Sequence, residues 1–504
     1  MTILEGLVMG AQNMLQPLNL FILVAATLIG FLGGALPGIS GTMMVILFLP
    51  LSYAMDPIPA FILLTTVYSI SVFSGLISAI LFRTPGTPEA VATVFDGYPM
   101  AQKGKAGQAL GIGIFCSAIG GIIGCLFLIF LTPPLSNLAL SFSSPEYFSL
   151  ALMGLTVVVS LGGKDLTKGF IGVCLGLFLA TIGMDPLTGT ERFTFNNVAL
   201  LSGVDLIPVI IGLFSVSEVL RKSKEKTTLA PELREIKTNI KIKIFDMEIF
   251  KRIWRTMAKS SIIGVIIGIL PGIGATTAAM VSYSEAVRSS KNPEEFGTGI
   301  PEGIAAPETA NNAAAMGTLI PLISLGIPGG ATAAVLLGAF VLHGLQPGPM
   351  LIVNAPDLVY TLFIALLLGN ILILLLSKPF IRVFSKILNI PYMALGPMIL
   401  VFCIIGTYAV NNSVFDIWIM LLFGLLGYLF DKIKFPISTI ILGLVLGPLT
   451  ETEFRRSLEM SNGDFSIFFT RPISCGLLIL AAIAFIYGLY KTYKKQSSVR
   501  VIAD

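Results

Sequence analysis

The sequence GALPGISGT at residues 34–42 returns in altered form as GILPGIGAT at residues 268–276. Two further matches follow in the same order: TPGT at 84–87 with IPGG at 327–330, and PLTGTE at 186–191 with PLTETE at 448–453. Three matches in one order are hard to obtain by chance. The sequence therefore predicts that the chain is built from two related repeats.

The composition around these matches is that of a protein embedded in lipid. Of the 504 residues, 55% are hydrophobic and only 12% are charged, and the mean hydropathy is +0.90. A soluble domain usually has about twice that share of charged residues. Because so few charges could not cover a soluble protein of this length, we predict an all-α polytopic membrane protein.

Apolar runs of about 20 residues are long enough to cross a bilayer as a helix. Between residues 260 and 343 the apolar sequence is broken by Pro and Gly, so we predict a total of about 11–13 spans with broken or re-entrant helices. The predicted organisation is a first membrane repeat at 17–219, a basic cytoplasmic linker at 220–259 and a second membrane repeat at 260–490. The convincing runs are 17–36, 58–82, 106–131, 146–162, 166–184, 201–219, 357–377, 392–408, 414–430, 436–448 and 473–490.

The distribution of Lys and Arg predicts that the two repeats have inverted topology. Basic residues mark cytoplasmic loops. The segment 83–105 is basic, whereas its counterpart at 343–349 has no Lys or Arg; the segment 132–145 has neither, whereas its counterpart at 378–386 is basic. Since corresponding loops lie on opposite sides, the repeats are inverted.

The same rule orients the whole chain. The alternation of basic and base-free loops predicts an N-terminus outside and a cytoplasmic C-terminus, although the predicted loop 449–472 has mixed charge. The second repeat is longer than the first by about one span. That extra span would return the two PLTxTE segments to the same side of the membrane.

Inverted repeats with interrupted helices are typical of secondary transporters, whose substrate site lies where the helices break. A broken helix presents free backbone N–H groups and a positive dipole end to a carboxylate, and nearby hydroxyl groups can bind a carboxylate or sodium. The alternative is that these residues only permit kinks and tight packing. The candidate substrate- or ion-binding residues at the breaks are Gly38, Ser40, Thr42, Pro85, Gly86, Thr87, Gly272, Thr276, Thr277, Pro328 and Gly329.

A second group of candidates lies in GIPEGIAAPETANNA at residues 299–313. If Glu308 begins a helix, Asn311 and Asn312 lie on its face. Polar groups beside an apolar helix are costly unless they bind something. We therefore predict that these three residues bind substrate or the coupling ion, with sodium as the candidate metal. The alternative is that Glu308 caps a surface helix.

The first repeat has acidic residues in a comparable place. Glu89, Thr93 and Asp96 have helical spacing after the first Pro-Gly break. An amphipathic loop helix at the inner surface is an equally good interpretation of this pattern.

Enzyme chemistry finds no support in the sequence. The single histidine, His343, excludes His-rich metal sites, and the five cysteines form no CxxC pair. GxGD aspartates, an HExxH motif and a membrane Ser/His pair are missing, as is a Walker A motif. We predict that the chain is not an enzyme and has no cofactor, with a proton or sodium as coupling ion. The lack of a continuous basic face argues against nucleic acid as a partner.

The chain resembles the large membrane subunit of the tripartite tricarboxylate transporter family over nearly its whole length. Three segments carry the likeness: DGYPMAQKGKAGQALG at 96–111, LPGIGATTAA at 270–279 and FGTGIPEGIAAPETANNAAAMGTLIPLISLGIPGGATAAVLLGAF at 296–340. The resemblance implies a small four-span membrane partner and a periplasmic solute-binding protein. It also implies ion-driven uptake of citrate or related tri- and dicarboxylates, without ATP, across the bacterial cytoplasmic (inner) membrane.

The chain departs from the family pattern near the first break. That pattern often has an Asn-like polar residue before the Pro-Gly pair and serines after it, whereas here Phe82-Arg83-Thr84 precede Pro85-Gly86 and Glu89-Ala90 follow. The resemblance therefore implies the class of transporter and leaves the carboxylate open. The alternative function is a channel or a structural membrane subunit of a multi-component complex.

Overall fold

The computed structural model describes residues 2–36, 39–161, 165–224, 242–387 and 392–503. The candidate residue Gly38 and the central part of the predicted linker, residues 225–241, lie outside this range. The described chain is helical apart from one short hairpin, which confirms the all-α class.

By length and composition, seven described helices can cross a membrane, and five further apolar helices are shorter. The protein is therefore a multi-pass membrane protein. The seven long segments are Pro17–Ala35, Pro57–Phe82, Val94–Ala139, Pro356–Arg382, Val414–Lys432, Ile437–Met460 and Pro472–Tyr490. The shorter ones are Gly41–Tyr53, Ser144–Ser160, Leu166–Ala180, Ala331–Leu342 and Gly396–Asn411.

The elements follow one another along the chain with several short helical turns between the longer helices. The N-terminal half has α1 (Ile3–Met14), α2 (Pro17–Ala35), α3 (Gly41–Tyr53), α4 (Pro57–Phe82), the 3-10 turn Pro88–Ala90, α5 (Val94–Met100), the π-turn Ala101–Lys105, α6 (Ala106–Ala139), α7 (Ser144–Leu161), α8 (Leu166–Ala180), β1 (Gly183–Met184), β2 (Glu191–Arg192), the 3-10 turn Val198–Leu200, α9 (Leu206–Ile210), the π-turn Ile211–Val216 and α10 (Ser217–Lys224). The C-terminal half has α11 (Met247–Ile269), α12 (Gly274–Ser289), the 3-10 turn Pro293–Glu295, α13 (Pro301–Gly317), α14 (Leu319–Leu325), α15 (Ala331–Leu342), α16 (Pro349–Asn354), α17 (Pro356–Ile387), α18 (Tyr392–Asn411), α19 (Val414–Lys432), α20 (Ile437–Met460), α21 (Ile467–Thr470) and α22 (Pro472–Ala503).

The chain divides into two compact units, and each draws on both predicted repeats. The first unit comprises Met1–Ser136, Lys222–Ile269 and Gly274–Gly406. The second comprises Asn137–Arg221, Leu270–Ile273 and Thr407–Asp504.

Helix α4 lies at the centre of the first unit. It has no charged side chain, and its most apolar stretch is fully buried, as expected of a core helix. It packs against α2, α3, α13 and α17. Beside it the ring of Phe31 stacks on Phe380 with centroids 4.8 Å apart and meets Phe73 edge-on at 5.5 Å.

The α2–α4 pair and the α11–α13 pair are built alike. A Cβ atom on Gly34 of α2 would collide with the carbonyl oxygen of Ser71 on α4. In the other repeat, a Cβ atom on Gly268 of α11 would collide with the carbonyl oxygen of Ala314 on α13. Glycine allows the helix backbones to approach this closely. Both pairs therefore preserve the internal repeat in their packing.

Helices α6 and α17 occupy corresponding places in the two repeats, because each packs by a glycine against the core helix of the other repeat. A Cβ atom on Gly120 of α6 would meet Thr309 of α13, and one on Gly369 of α17 would meet Thr66 of α4. The neighbouring residues, Gly121 and Asn370, contact each other directly. Positions that correspond in the two repeats therefore meet between α6 and α17.

The second unit contains α7, α8, α19, α20 and α22, with α8 packed on α20 and α7 packed on α22. Its hairpin pairs Gly183 with Arg192 and Met184 with Glu191 in antiparallel register.

Ion pairs tie this hairpin to α20. Arg192 binds Glu451 with an Nη1–Oε1 distance of 2.6 Å, and Arg455 binds Asp185 with an Nη1–Oδ2 distance of 2.7 Å. The two PLTxTE segments therefore lie together.

Three boundaries differ from the sequence prediction. The predicted loop 449–472 is wrong at its start, because α20 continues through Pro448 to Met460. Helix α11 begins at Met247, inside the range predicted as linker. The predicted run 201–219 starts as a helix only at Leu206, after the Asp205 side chain caps the backbone N–H of Ile207.

Candidate functional site

The first pair of predicted breaks brings two helix N-termini together in the first unit. Ser40 caps α3, and its hydroxyl accepts a hydrogen bond from the Met43 N–H at 3.1 Å. Thr42 lies in the first turn of α3, and Thr332 lies in the first turn of α15. Their buried hydroxyl groups form a hydrogen bond of 2.8 Å. The positive dipole ends of α3 and α15 thus converge on one place.

The Pro-Gly pairs at 85–86 and 328–329 have matching geometry in the two repeats. The Gly86 N–H donates to the Gly75 carbonyl at 3.1 Å, and the Gly329 N–H donates to the Thr318 carbonyl at 3.3 Å. A Cβ atom at Gly86 would collide with the carbonyl oxygen of Gly34, and one at Gly329 would collide with that of Gly268. Each break therefore rests on the end of the helix that precedes the LPG segment of its own repeat.

Tyr68 contributes a further hydroxyl group that sequence reasoning missed. It is buried on α4, and its hydroxyl lies 3.3 Å from the Thr318 hydroxyl. A tyrosine within a continuous apolar run has no sequence signal that separates it from ordinary core aromatics.

The helix that follows the second LPG segment begins in the same unit. Helix α12 begins at Gly274, and the predicted residues Thr276 and Thr277 lie half-buried in its first turn. This helix packs against the 3-10 turn Pro88–Ala90. Thr87 is buried immediately before that turn. The start of α12 and the turn after the first Pro-Gly pair are therefore neighbours.

Glu308 is buried in the middle of α13, so the alternative that it caps a surface helix is wrong. The Thr93 hydroxyl donates to its Oε1 atom, and the Ser117 hydroxyl donates to its Oε2 atom at 2.8 Å. None of the ion pairs among the described residues includes Glu308. Hydroxyl groups of the first repeat thus supply its hydrogen bonds.

The two asparagines extend this polar cluster towards the first break. The Asn311 amide donates to the backbone carbonyl of Glu89 at 3.2 Å. The Asn312 amide donates to the Asn311 Oδ1 atom at 2.8 Å and to the Glu308 carbonyl at 3.1 Å. The predicted residues Glu308, Asn311 and Asn312 are therefore joined to Glu89 and Thr93 of the other repeat.

Asp96 is buried and has a structural role, so the surface-helix interpretation of this segment is wrong. Its Oδ1 atom accepts backbone N–H groups of Gly299 at 2.8 Å and Ile300 at 3.0 Å, and its Oδ2 atom accepts the Tyr283 hydroxyl at 2.9 Å. The side chain therefore fixes the loop that leads into α13, in the manner of an N-cap.

Gly272 belongs to the second unit, unlike the other described candidates. Its φ of +74° lies in the left-handed region that favours glycine. A Cβ atom there would collide with the Val158 side chain and lie 3.0 Å from the Leu442 Cδ1 atom.

Comparison with known proteins gives one family and two relatives. The tripartite tricarboxylate transporter TctA family matches residues 20–442. A 52.8 kDa protein of Agrobacterium vitis from the TAR-I ttuC' 3' region is 37% identical over 506 aligned positions, and the alignment covers 100% of both chains. A second Agrobacterium vitis protein, from the TAR-II ttuC' 3' region, is 40% identical over 241 residues, which cover 48% of this chain and all of the relative. No solved structure matches the chain.

Proposed function

Since the chain belongs to the tripartite tricarboxylate transporter TctA family, we propose that it is the large membrane subunit of a binding-protein-dependent secondary transporter. It imports citrate or related tri- and dicarboxylates and is driven by a proton or sodium gradient. Its partners are a small four-span membrane subunit and a periplasmic solute-binding protein. It lies in the bacterial cytoplasmic membrane with its N-terminus outside and its C-terminus in the cytoplasm.

The convergence of the α3 and α15 N-termini carries this proposal. Free N–H groups at a helix start and the positive dipole end favour an anion. Two such ends meet at the Thr42–Thr332 hydrogen bond, where both hydroxyl groups can donate to carboxylate oxygens. A substrate carboxylate binds there, with Ser40, Gly86 and the Pro328–Gly329 break shaping the backbone.

The Glu308–Asn311–Asn312 cluster serves the coupling ion. An ionised carboxylate at membrane depth costs roughly several kcal/mol of free energy, unless it is paired or bound to a cation. Protonation also removes this cost, because it neutralises the charge. The gradient energy enters here, because a proton or sodium ion offsets charge while the carrier reorients.

Uptake by proteoliposomes tests the function. The full chain is reconstituted with its small membrane partner, and radiolabelled citrate, a dicarboxylate and a neutral sugar are compared under imposed sodium or proton gradients. Saturable, gradient-dependent accumulation of a carboxylate is expected. Non-saturable flux that only follows the substrate gradient would identify a channel.

Glu308→Gln tests the coupling role. Glutamine keeps the shape and an acceptor oxygen, and the Thr93 and Ser117 hydroxyl groups can rotate to suit its amide, so the variant should fold. We expect loss of accumulation against a gradient, with substrate exchange still measurable. The exposed Glu294, changed to Gln, is the matched control. Undiminished concentrative uptake by Glu308→Gln would remove this residue from the coupling site.

Dependence on a binding protein is tested by omission. The reconstituted membrane subunits should take up carboxylate poorly until the cognate solute-binding protein is added. High-affinity uptake without it contradicts this part of the proposal.

A further inference from the structure

The repeat relates two residue pairs that differ in charge. Thr332 lies three residues after Gly329, as Glu89 lies three residues after Gly86. Thr42 and Thr276 are equivalent through the two LPG segments. The Thr42–Thr332 hydroxyl pair in one place therefore corresponds to Thr276 and Glu89 in the other. One pair has two hydroxyl groups, and the other has a hydroxyl group and a carboxylate.

The carboxylate of Glu89 is held in a packed part of the first unit. Its 3-10 turn, Pro88–Ala90, packs against α4, α12 and α13. Its backbone carbonyl accepts the Asn311 amide at 3.2 Å, which ties the turn to α13. The Thr93 hydroxyl, which follows the turn, is bound to Glu308. The position of Glu89 is therefore set by the same cluster that contains Glu308 and Asn311.

One oxygen of this carboxylate has no partner in the described part of the chain. The Oε2 atom of Glu89 is buried without a hydrogen bond, and so is the Thr87 hydroxyl just before the turn. None of the described ion pairs includes Glu89. A buried acceptor without a donor is costly. The residue as a whole is partly buried.

Glu308 contrasts with Glu89 in this respect. Both Glu308 oxygens accept hydroxyl groups, from Thr93 and Ser117. The helices that pack against the turn carry six titratable side chains: Tyr68 on α4, Tyr283, Glu285 and Arg288 on α12, and Glu302 and Glu308 on α13. The first turn of α12 adds the hydroxyl groups of Thr276 and Thr277. Arg288, the basic residue among them, is exposed near the end of α12 and paired with Glu285, so oxygen atoms predominate around Glu89, which suits a hard cation.

We propose that the Glu89 carboxylate is a ligand of the coupling cation and that this cation is sodium. This rests on the proposed function and extends its ion site from Asn311 to the other repeat. Thr87 and Thr276 supply hydroxyl oxygens beside the carboxylate. Within this extended site Glu308 also positions Glu89, because it holds Thr93 and thereby the turn that carries Glu89.

This arrangement predicts that the ion binds before the substrate. An ionised Glu89 repels a carboxylate substrate within the same unit, and the repulsion is strong where water is scarce. A sodium ion bound to Glu89 neutralises its charge and so removes this repulsion. The two equivalent breaks have thus taken opposite roles: the hydroxyl pair receives the anion, and the Glu89 pair receives the cation.

Sodium-dependent thermal stability tests the assignment without any substrate. The full chain with its small membrane partner is placed in lipid nanodiscs, and the midpoint of unfolding is measured against sodium chloride, with potassium and choline chloride at equal ionic strength. A ligand that binds the folded state raises this midpoint with concentration. Sodium should raise the unfolding midpoint of the wild-type protein and should not change that of Glu89→Gln. It should raise the midpoint of Glu89→Asp only at higher concentration. Glu294→Gln should respond as wild type.

Several outcomes overturn the proposal. They are an undiminished sodium response in Glu89→Gln, an equal response to potassium or choline, or a response to pH alone, which would identify a proton site. If Glu89→Gln does not fold, an unchanged sodium dependence in Glu89→Asp overturns it as well. Because the readout needs no substrate, failure of carboxylate uptake in proteoliposomes would refute the proposed function and leave the sodium result standing.

Discussion

Single glycines decide how closely the broken helices of each repeat approach. Gly86 and Gly329 lie against the carbonyl oxygens of Gly34 and Gly268, which end the preceding helices. A side chain at either position would push the Pro-Gly break off the helix end. The backbone groups that should meet the substrate depend on this contact, so the glycines link packing to transport.

Gly86→Ala and Gly329→Ala should each impair transport and stability to a similar degree. Overpacking of this kind typically costs about 1–3 kcal/mol, here against rigid backbone atoms. Thermal unfolding in detergent and citrate uptake are the measurements. Gly476→Ala is the control, because a Cβ atom there meets nothing within 4 Å. Wild-type uptake in both variants would show that the breaks tolerate displacement.

The LPG glycines should be essential in both repeats. Gly272→Val introduces a β-branched side chain at a φ of +74° and into the Val158 side chain. We expect it and Gly38→Val to abolish uptake while membrane insertion, measured by protease protection and expression level, persists. The control Gly463→Val has a comparable φ of +88° but open space around it. Normal uptake by both Gly38→Val and Gly272→Val would show that these glycines are not required for transport.

Sequence reasoning found one half of the polar cluster better than the other. The cost of Glu308 and two asparagines in an apolar setting marks them as unusual. Their partner Thr93 is marked only by its helical spacing with Glu89 and Asp96. Ser117 has no signal, because a hydroxyl group in a membrane helix often bonds only its own backbone. The placement of Glu89 beside Asn311 is a tertiary contact between repeats, and spacing within one segment could not predict it.

At the scale of elements, one repeated motif adopts two structures. PLTGTE at 186–191 forms the turn between β1 and β2, whereas PLTETE at 448–453 lies inside α20. The matching residues predict the repeat from the sequence. They do not predict the conformation of each copy, because the flanking sequence decides whether Pro448 interrupts or continues a helix. The copies remain partners through the Arg192–Glu451 and Arg455–Asp185 ion pairs.

The Asp185–Arg455 pair should make the second unit sensitive to acid. The Arg455 guanidinium, and next the Leu187 N–H, hold the pKa of Asp185 well below its usual range. A depressed pKa contributes stability that is fully present above the unfolded value of about 3.9 and is lost as pH falls towards the folded value. The thermal midpoint of unfolding of the wild-type protein, measured at successive pH values from 7 downwards, should decrease once the pH is below about 4.

Asp185→Asn should have a lower midpoint at pH 7 and a flatter dependence on acid. The exposed Glu459 on the same helix as Arg455, changed to Gln, is the control and should keep the wild-type profile. An Asp185→Asn profile that follows wild type would show that the pair contributes nothing to stability.

At the scale of the whole molecule, the repeats and the compact units divide the chain differently. The first unit holds the α2–α4 and α11–α13 pairs, one from each repeat, together with the Pro-Gly pairs at 85–86 and 328–329, whereas the LPG segment of the second repeat belongs to the second unit. The matched Pro-Gly segments predicted the repeat from sequence. The division into units depends on contacts between distant segments, so periodicity and charge could not predict it.

Cysteine labelling should show the inverted topology. Single cysteines are introduced into a background without the native cysteines, of which Cys174 is exposed. Ser136 is buried, so the nearby Leu138, 52% exposed, is the better probe for the outer face. It should react with an impermeant maleimide from outside, and the exposed Arg382 position only from inside. Labelling of both from the same side would refute inverted repeats.

The contact between Gly121 and Asn370 bears on how such a chain arose. In a symmetric dimer of half-length copies, two corresponding positions in contact hold the same residue twice, and two asparagine side chains would collide here. Fusion of the two copies into one gene releases that constraint, because each copy can then mutate alone. A glycine in one helix now makes room for an asparagine in the other. A glycine opposite an asparagine at corresponding positions therefore requires two halves that can mutate separately, as two halves of one chain can.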